Sequence, residues 1–330
     1  MFSIPNGQNR PPCGQIGERQ LSAQDCGGAA RRIRRCHSQP TFFETGNVKA
    51  GEGGNFTQLT PDEAQGIFEN SIKPDLFAGS SRVEKPSFVL LAGQPGAGKS
   101  SALDLARQRF GTEGCVNVSN DALMTYHPNY YELTTKGYDA PFSHPAMMEV
   151  YGFASAMRVA VLDAAVAEGR NVVFEHTLPR DSAERQLPKM LGERFKTVDL
   201  WVLATPGTIS RLSTYVRYEK QRAALAAAPD GFKNTHQDGP RKQTDAGNRE
   251  RFALYRNCIS ELHALKLADQ IRRAVILDRN GIHFESENFK SNSAAFRQMF
   301  VNLVDREITP REYRSLFDAL PDLGGSYQAR

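Results

Sequence analysis

The sequence is short of the features that would place it outside the cytoplasm. Its five cysteines, Cys13, Cys26, Cys36, Cys115 and Cys258, are odd in number and scattered, with no CxxC pair and no histidine at metal-ligand spacing. That pattern argues against a disulfide framework and a zinc site, and it suits a reducing compartment. No stretch reads as the roughly 18 apolar residues of a membrane span, and the opening MFSIPNGQNRPPCGQ has no apolar signal-peptide region. A soluble, cytoplasmic protein with no membrane partner is expected.

Positive charge is also missing from most of the chain. Residues 1–50 carry seven basic and three acidic side chains, which accounts for the whole formal excess of +4, so the other 280 of the 330 residues balance to zero. A nucleic-acid-binding body would concentrate basic residues on its fold, and none is expected to bind here. The leader 1–55 is rich in Gly, Pro, Gln, Ser and Arg without apolar periodicity, and reads as disordered and basic. Its cluster Arg31-Arg32-Ile33-Arg34-Arg35 reads first as a solvated tail. The leader also suits an exported effector that threads unfolded into another cell.

The rest of the chain has 40% hydrophobic and 24% charged residues overall, enough for an ordinary core. Thr60-Pro61-Asp62-Glu63 is a helix start, with Thr as N-cap, Pro at the first position and Glu at the third. Phe88–Ala92 is a short apolar run of the kind buried on both faces of a parallel sheet. Ser101–Phe110 has helical spacing and stops at Gly111. GCVNVSND reads as a second strand with its C-terminal edge at Ser119–Asp121, followed by a long alanine-rich helix at Met147–Ala167 and a third strand at Asn171–Phe174. Thr197–Thr205 reads as a fourth strand, Thr208–Ala227 as a helix, and Arg272–Glu285 as a late strand turning back at Arg279-Asn280-Gly281. Thr309-Pro310-Arg311-Glu312 opens a final helix. Alternating strands and helices predict an α/β fold of the P-loop kinase type, a three-layer sandwich with a central, mainly parallel sheet.

Between the first strand and its helix stands Gly93-Gln94-Pro95-Gly96-Ala97-Gly98-Lys99-Ser100, a complete G-x-x-x-x-G-K-S loop followed by Ser101. Its glycines let backbone N–H groups surround phosphate oxygens, and the helix adds its positive end. Lys99 would reach the β- and γ-phosphates of ATP or GTP, and the Ser100 hydroxyl would bind Mg²⁺. No N-K-x-D guanine-reading motif and no Walker B strand of the motor type accompany the loop, which leaves a small-molecule kinase. Such an enzyme needs a base for the acceptor hydroxyl. Asp121, at a strand end some twenty residues later, is placed for it; a turn or helix cap is the competing reading. His127, His144 and the tyrosines Tyr126, Tyr130 and Tyr131 read as packing, and Cys115 as core.

The pieces GQPGAGKSS, SNDALMTYHPNYYEL, VVFEHTLPR, VRYEKQR and VILDRNGIHFE, in this order, resemble the zeta toxin family over roughly residues 60–285. The resemblance implies a kinase domain at 56–285; the basic leader and a C-terminal helical extension at 286–330 depart from the family's pattern. It implies phosphorylation of a hydroxyl of a UDP-N-acetyl sugar, with Asp121 as base and Lys99 and Ser100 on the phosphates and metal. It also implies that Glu175, Thr177, Arg180 and Glu149 contact the acceptor. Arg217 and a second arginine, Arg241 with Arg249 as competitor, would stabilise the transferring phosphoryl group. The family's inhibitor is a small helical antitoxin, and residues 1–55 lack the periodicity to be one, so a separate chain is expected. A kinase of the same fold acting on NAD or another nucleotide-like acceptor, and a nucleotide-binding interaction protein without turnover, are the rival readings.

Overall fold

The structure, a computed structural model, describes residues 59–135, 144–195, 197–227, 239 and 243–319. The leader and Arg241 lie outside the described residues. The first helix, α1 (Pro61–Ile67), begins as its sequence predicts. The Thr60 hydroxyl accepts from the Glu63 amide while the Glu63 carboxylate accepts from the Thr60 amide at 2.8 Å, with Pro61 in the first turn. A π-helical segment, Phe68–Ile72, carries the chain into α2 (Lys73–Phe77) and buries Phe68, Ile72 and Phe77.

Strand β1 (Phe88–Ala92) is buried along its length. Phe88, Leu90 and Ala92 enter one core cluster and Val89 and Leu91 another, which is why the run is apolar without alternation. The chain then forms α3 (Lys99–Phe110), β2 (Val116–Val118), α4 (Asn120–Met124) and α5 (Tyr130–Thr135). Next come α6 (Pro145–Ala167), β3 (Val172–His176), α7 (Leu187–Gly192), β4 (Val198–Leu203) and α8 (Gly207–Ala227). After α9 (Asp245–Ser260), β5 (Ile271–Asp278) and β6 (Gly281–Ser286) form an antiparallel hairpin, followed by α10 (Phe289–Val304) and α11 (Pro310–Asp318).

The six strands lie in the order β2-β3-β1-β4-β5-β6, and all neighbours except β5 and β6 are parallel. One face packs on α3, where Ala102, Leu103 and Ala106 meet Val89, Leu91, Val173, Trp201 and Leu203. The other face carries the larger core, built with α6, α9 and α10. The result is the three-layer α/β sandwich with a mostly parallel sheet. The chain leaves β1 for one side of the sheet and later returns to the other, so the carboxyl ends around β1 open into a crevice.

Helix α6 departs from the expectation that no segment is apolar enough to span a membrane. An 18-residue window of it reaches a mean hydropathy of 1.4, and among the described residues it alone is long and apolar enough. Its composition has a local cause. Met147, Val150, Ala154, Met157, Val161 and Leu162 fall at helical spacing and are buried in the core shared with α4 and β2. At the C-terminal end, Phe289, Phe296 and Phe300 of α10 enter the same core, and Phe300 meets Tyr255 edge-on at 5.9 Å. A second capping box, at Thr309 and Glu312, starts α11, and Arg306 ties Glu312 to Asp278 at the end of β5.

Candidate active site

The loop after β1 is held from outside by its carbonyls. Ser210 Oγ donates to Pro95 O at 2.5 Å, Thr205 Oγ1 to Ala97 O at 2.8 Å, and the Arg279 guanidinium to Gly96 O at 2.9 Å and Ser213 Oγ at 2.6 Å. The Gln94 side chain donates to Thr205 O at 2.9 Å, and the Gly93 amide to His176 O at 3.0 Å. Beneath the loop, the buried Tyr255 hydroxyl sits 3.0 Å from Ala92 O and 3.1 Å from Leu203 O, joining the ends of β1 and β4. With the loop's carbonyls tied outward, the amides at the start of α3 are the groups left for a phosphate chain. Gly96 and Gly98 have φ of +76° and +102°, and a Cβ on Gly96 would stand 2.1 Å from Ser210 O. Only glycine fits there. Lys99 Nζ lies 3.0 Å from Gly93 O and 3.3 Å from Gln94 O, and Ser100 and Ser101 are exposed on the first turn of α3.

The neighbouring strand ends supply acidic groups. After β2 the chain is extended at Ser119 and puts Asp121 on the first turn of α4, exposed. Strand β3, between β2 and β1, delivers Glu175 and His176, followed by exposed Thr177 and by Leu178, a buried leucine at φ +50°. Asn117 Nδ2 donates to Glu175 Oε1 at 3.0 Å across the β2–β3 pair. Burial pushes the Glu175 carboxyl above its ordinary range; Lys99 and Asn117 pull against that shift and the Asp121 charge adds to it. Glu175 therefore feels both Lys99 and Asp121.

On the α6 side, burial holds the His176 imidazole neutral down to about 3, helped by the charges of Arg158 and Lys99. Its Nδ1 accepts from the Leu178 amide at 2.9 Å, so the proton sits on Nε2. The His176 ring lies 5.6 Å from that of Phe174, and Arg158 Cζ lies 5.7 Å from the Phe174 centroid. Arg158 Nε is buried without a hydrogen-bond partner. His127 is neutral to about 4 for the same reason, burial, and packs edge-on against Phe153.

Helix α8 closes the donor side. Ser210, Ser213 and Thr214 face the loop, and Arg217 follows one turn on along the same face. The remaining sequence-derived residues are engaged elsewhere. Arg180 is ion-paired with Glu261 at the end of α9, Arg249 with Asp245, and Glu149 Oε1 accepts from the Leu59 amide at 3.1 Å. Sequence reasoning passed over Asn117, Arg158, His176 and Arg279. His176 and Arg279 stood inside quoted segments, but nothing local told which way they point.

A phosphate chain fits the glycine-walled loop. Among the described residues no three His, Cys, Asp or Glu side chains gather as metal ligands. Ser100 alone on the first turn suits an ion carried mainly by phosphate oxygens, as Mg²⁺ commonly is.

Comparison with known proteins accounts for this layout. A family model described as Zeta toxin matches residues 72–288. The Toxin zeta of Enterococcus hirae is 28% identical over 209 residues, which cover 57% of this chain and 71% of that protein. The Toxin zeta of Streptococcus pyogenes is 31% identical over 160 residues, 47% of this chain, so the match spans about half (53%) of that relative. A solved chain from the PezAT chromosomal toxin-antitoxin system of Streptococcus pneumoniae superposes with a TM-score of 0.58 at 21% identity, covering 79% of this chain and 94% of that one.

Proposed function

The chain belongs to the zeta toxin family and has its P-loop kinase fold, and from that premise we propose that it transfers the γ-phosphate of ATP or GTP to a hydroxyl of a small-molecule acceptor, most simply a UDP-N-acetyl sugar. The observation that carries this reading is the grouping of Lys99, Asp121 and Glu175 at adjacent strand ends, where Lys99 and Asp121 both act on the Glu175 carboxyl. A phosphate-holding loop alone would be content with less.

In the proposed reaction the acceptor hydroxyl gives its proton to the Asp121 carboxylate as its oxygen attacks the γ-phosphorus. The bond from that phosphorus to the β-phosphate oxygen breaks, and the nucleoside diphosphate leaves. Lys99, with Arg217 and Arg241, offsets the negative charge on the transferring group. Bound Mg²⁺ would screen the β- and γ-phosphates, with Ser100 as its protein ligand. Glu175 and Thr177 orient the acceptor sugar, and Arg180 and Glu149 are its outer contacts, each of which would first have to leave its present partner. The Streptococcus pneumoniae relative comes from a toxin-antitoxin system; a separate small helical antitoxin is the partner proposed here, with a cytoplasmic site of action.

The test is incubation of the full chain with labelled ATP, Mg²⁺ and a panel of UDP-sugars, NAD and nucleosides. Label on a UDP-N-acetyl sugar is the expected result. Label on NAD alone would move the acceptor to a dinucleotide, and no transfer to any acceptor would favour a binding protein without turnover.

A further inference from the structure

We propose that Arg279 is a positioning residue for the phosphate loop, and that the C-terminal helices keep it there through Arg306. The inference rests on the reading of Gly93–Ser100 as a nucleotide loop and on no particular acceptor. Arg306 and Glu312 lie beyond residues 72–288, the stretch that the family model matches.

The first observation is what Arg279 grips. The ties from Thr205 and Ser210 to the loop are neutral hydroxyls. Arg279 instead brings a guanidinium, from the turn between β5 and β6, to Gly96 O at 2.9 Å and Ser213 Oγ at 2.6 Å. It lies along the stretch with φ of +76° and +102°: a Cβ on Gly98 would meet Arg279 Cγ at 3.4 Å and Nε at 3.5 Å. That is the part of the loop whose backbone is freest to turn, and Arg279 fixes one of its peptides against α8. Holding the peptide before a nucleotide arrives removes part of the ordering cost of binding.

The second observation is what leaves Arg279 free to do this. Asp278, buried at the end of β5, accepts from the Asn280 amide at 2.7 Å and lies 2.8 Å from His283 Nε2. Burial pulls the Arg279 guanidinium below the ordinary arginine value, and the charges of Glu312 and Asp278 oppose that shift. Both carboxylates are engaged by Arg306, from the link between α10 and α11. Arg306 donates to the two oxygens of Glu312 at 2.9 and 2.5 Å and lies 3.8 Å from Asp278 Oδ2. Its bonds hold the Glu312 carboxyl down to about 2. The link itself is fixed, because Phe289, Phe296 and Phe300 anchor α10 in the core and Arg256 of α9 donates to Asp305 at 2.8 Å. A guanidinium bonds more strongly to a carboxylate than to a neutral carbonyl. With Arg306 occupying the two carboxylates, Arg279 extends to the neutral Gly96 O and Ser213 Oγ. Without Arg306, Asp278 and Glu312 become rivals of the loop for Arg279.

The experiment titrates a non-hydrolysable ATP analogue, with Mg²⁺, into the full chain and its variants. Arg279→Met should bind the analogue about tenfold or more weakly, through loss of a charge-assisted tie. Arg279 lies outside both core clusters, so this variant tests the grip without touching the core. Arg306→Met should bind roughly three- to tenfold more weakly, as Arg279 turns to the freed carboxylates. Adding Glu312→Gln to Arg306→Met removes one rival charge and keeps a side chain able to complete the α11 cap. The double variant should then return to within about threefold of the parent, a non-additive recovery. A purely structural Arg306 would give no such recovery, since both variants lose the Arg306–Glu312 bonds and should share a similarly lowered thermal midpoint. In transfer assays, KM for the donor should rise in Arg279→Met and KM for the acceptor should hold. Unchanged affinity in Arg306→Met, or no recovery in the double variant, overturns the role of the C-terminal helices. Unchanged affinity in Arg279→Met overturns the proposal while leaving the kinase reading in place, and a parent chain that binds no analogue ends both.

Discussion

The two halves of the crevice are built on opposite plans. On the donor side the loop is finished before any ligand comes: the carbonyls of Pro95, Gly96 and Ala97 each accept from a side chain of another element, and glycine is imposed at Gly96 by contact with Ser210. On the β3 side, Arg158 Nε and His127 Nε2 are buried without a hydrogen-bond partner, while His176 Nδ1 accepts from the Leu178 amide. The donor half resembles a mould already shaped for a phosphate chain. The β3 side is less completely tied, and burial there raises the Glu175 carboxyl against the pull of Lys99 and Asn117.

The strongest way to separate the halves is Asp121→Asn. It should lower kcat by about 10²–10⁴-fold and leave affinity for an ATP analogue within about twofold of the parent, as read from single-turnover transfer and from titration. Unimpaired transfer would assign the base to another residue. Gly96→Ala attacks the mould instead. A Cβ 2.1 Å from Ser210 O, at φ +76°, cannot be accommodated without moving the loop, so affinity for the nucleotide should fall by roughly a hundredfold, measured by the same titration.

Acid should reach the acceptor half first. His127 and His176 are held neutral in the fold, to about 4 and about 3, whereas in the unfolded chain they protonate near 6.5. Between those values the unfolded state binds protons that the fold refuses, so this contribution is complete above about pH 6.5 and is lost as pH falls. Each histidine contributes up to about 2 kcal/mol of destabilisation between pH 6.5 and 5. Urea denaturation of His176→Asn at pH 7 and pH 5 should show a smaller drop than the parent; an equal drop would mean His176 titrates normally. The smallest change lies in neither half. Thr309→Ala removes the cap of α11 and should cost about 1 kcal/mol, seen as a lower thermal midpoint with transfer at ordinary temperature unaltered.

The same contrast explains how much could be read from the sequence. The donor half is written in consecutive letters. Gly96 and Gly98 stand in the loop's own G-x-x-x-x-G-K-S pattern, though Ser210 also presses on Gly96, and Phe88–Ala92 is apolar through burial on both faces; outside the site, Thr60 and Thr309 cap through an exchange that spans three residues. The acceptor half is assembled from distant ones. Asn117 finds Glu175 only because β2 and β3 pair in parallel, with Asn117 beside Val173. Arg158 is one charge on an apolar helix until Phe174 comes to lie beneath it. The donor half has a distant part too, for Arg279 reads as a turn residue, yet its guanidinium reaches back to Gly96. Helix α6 misled in the other direction, because its polar residues hide a window whose mean hydropathy reaches 1.4.

The position of β3 has a consequence for synthesis. On the ribosome β1 and β2 appear early, but in the finished sheet they are not neighbours; β3 lies between them. Until residues 172–176 have been made, the segment bearing Asp121 has no edge to dock on. A nascent or clipped product ending before residue 172 would lack both neighbours of β1 and the side chains of Thr205, Ser210 and Arg279 that tie the phosphate loop, as well as the strand beside Asn117. Translation thus completes both sides of the crevice together, only after β3 and β4 have taken their places around β1.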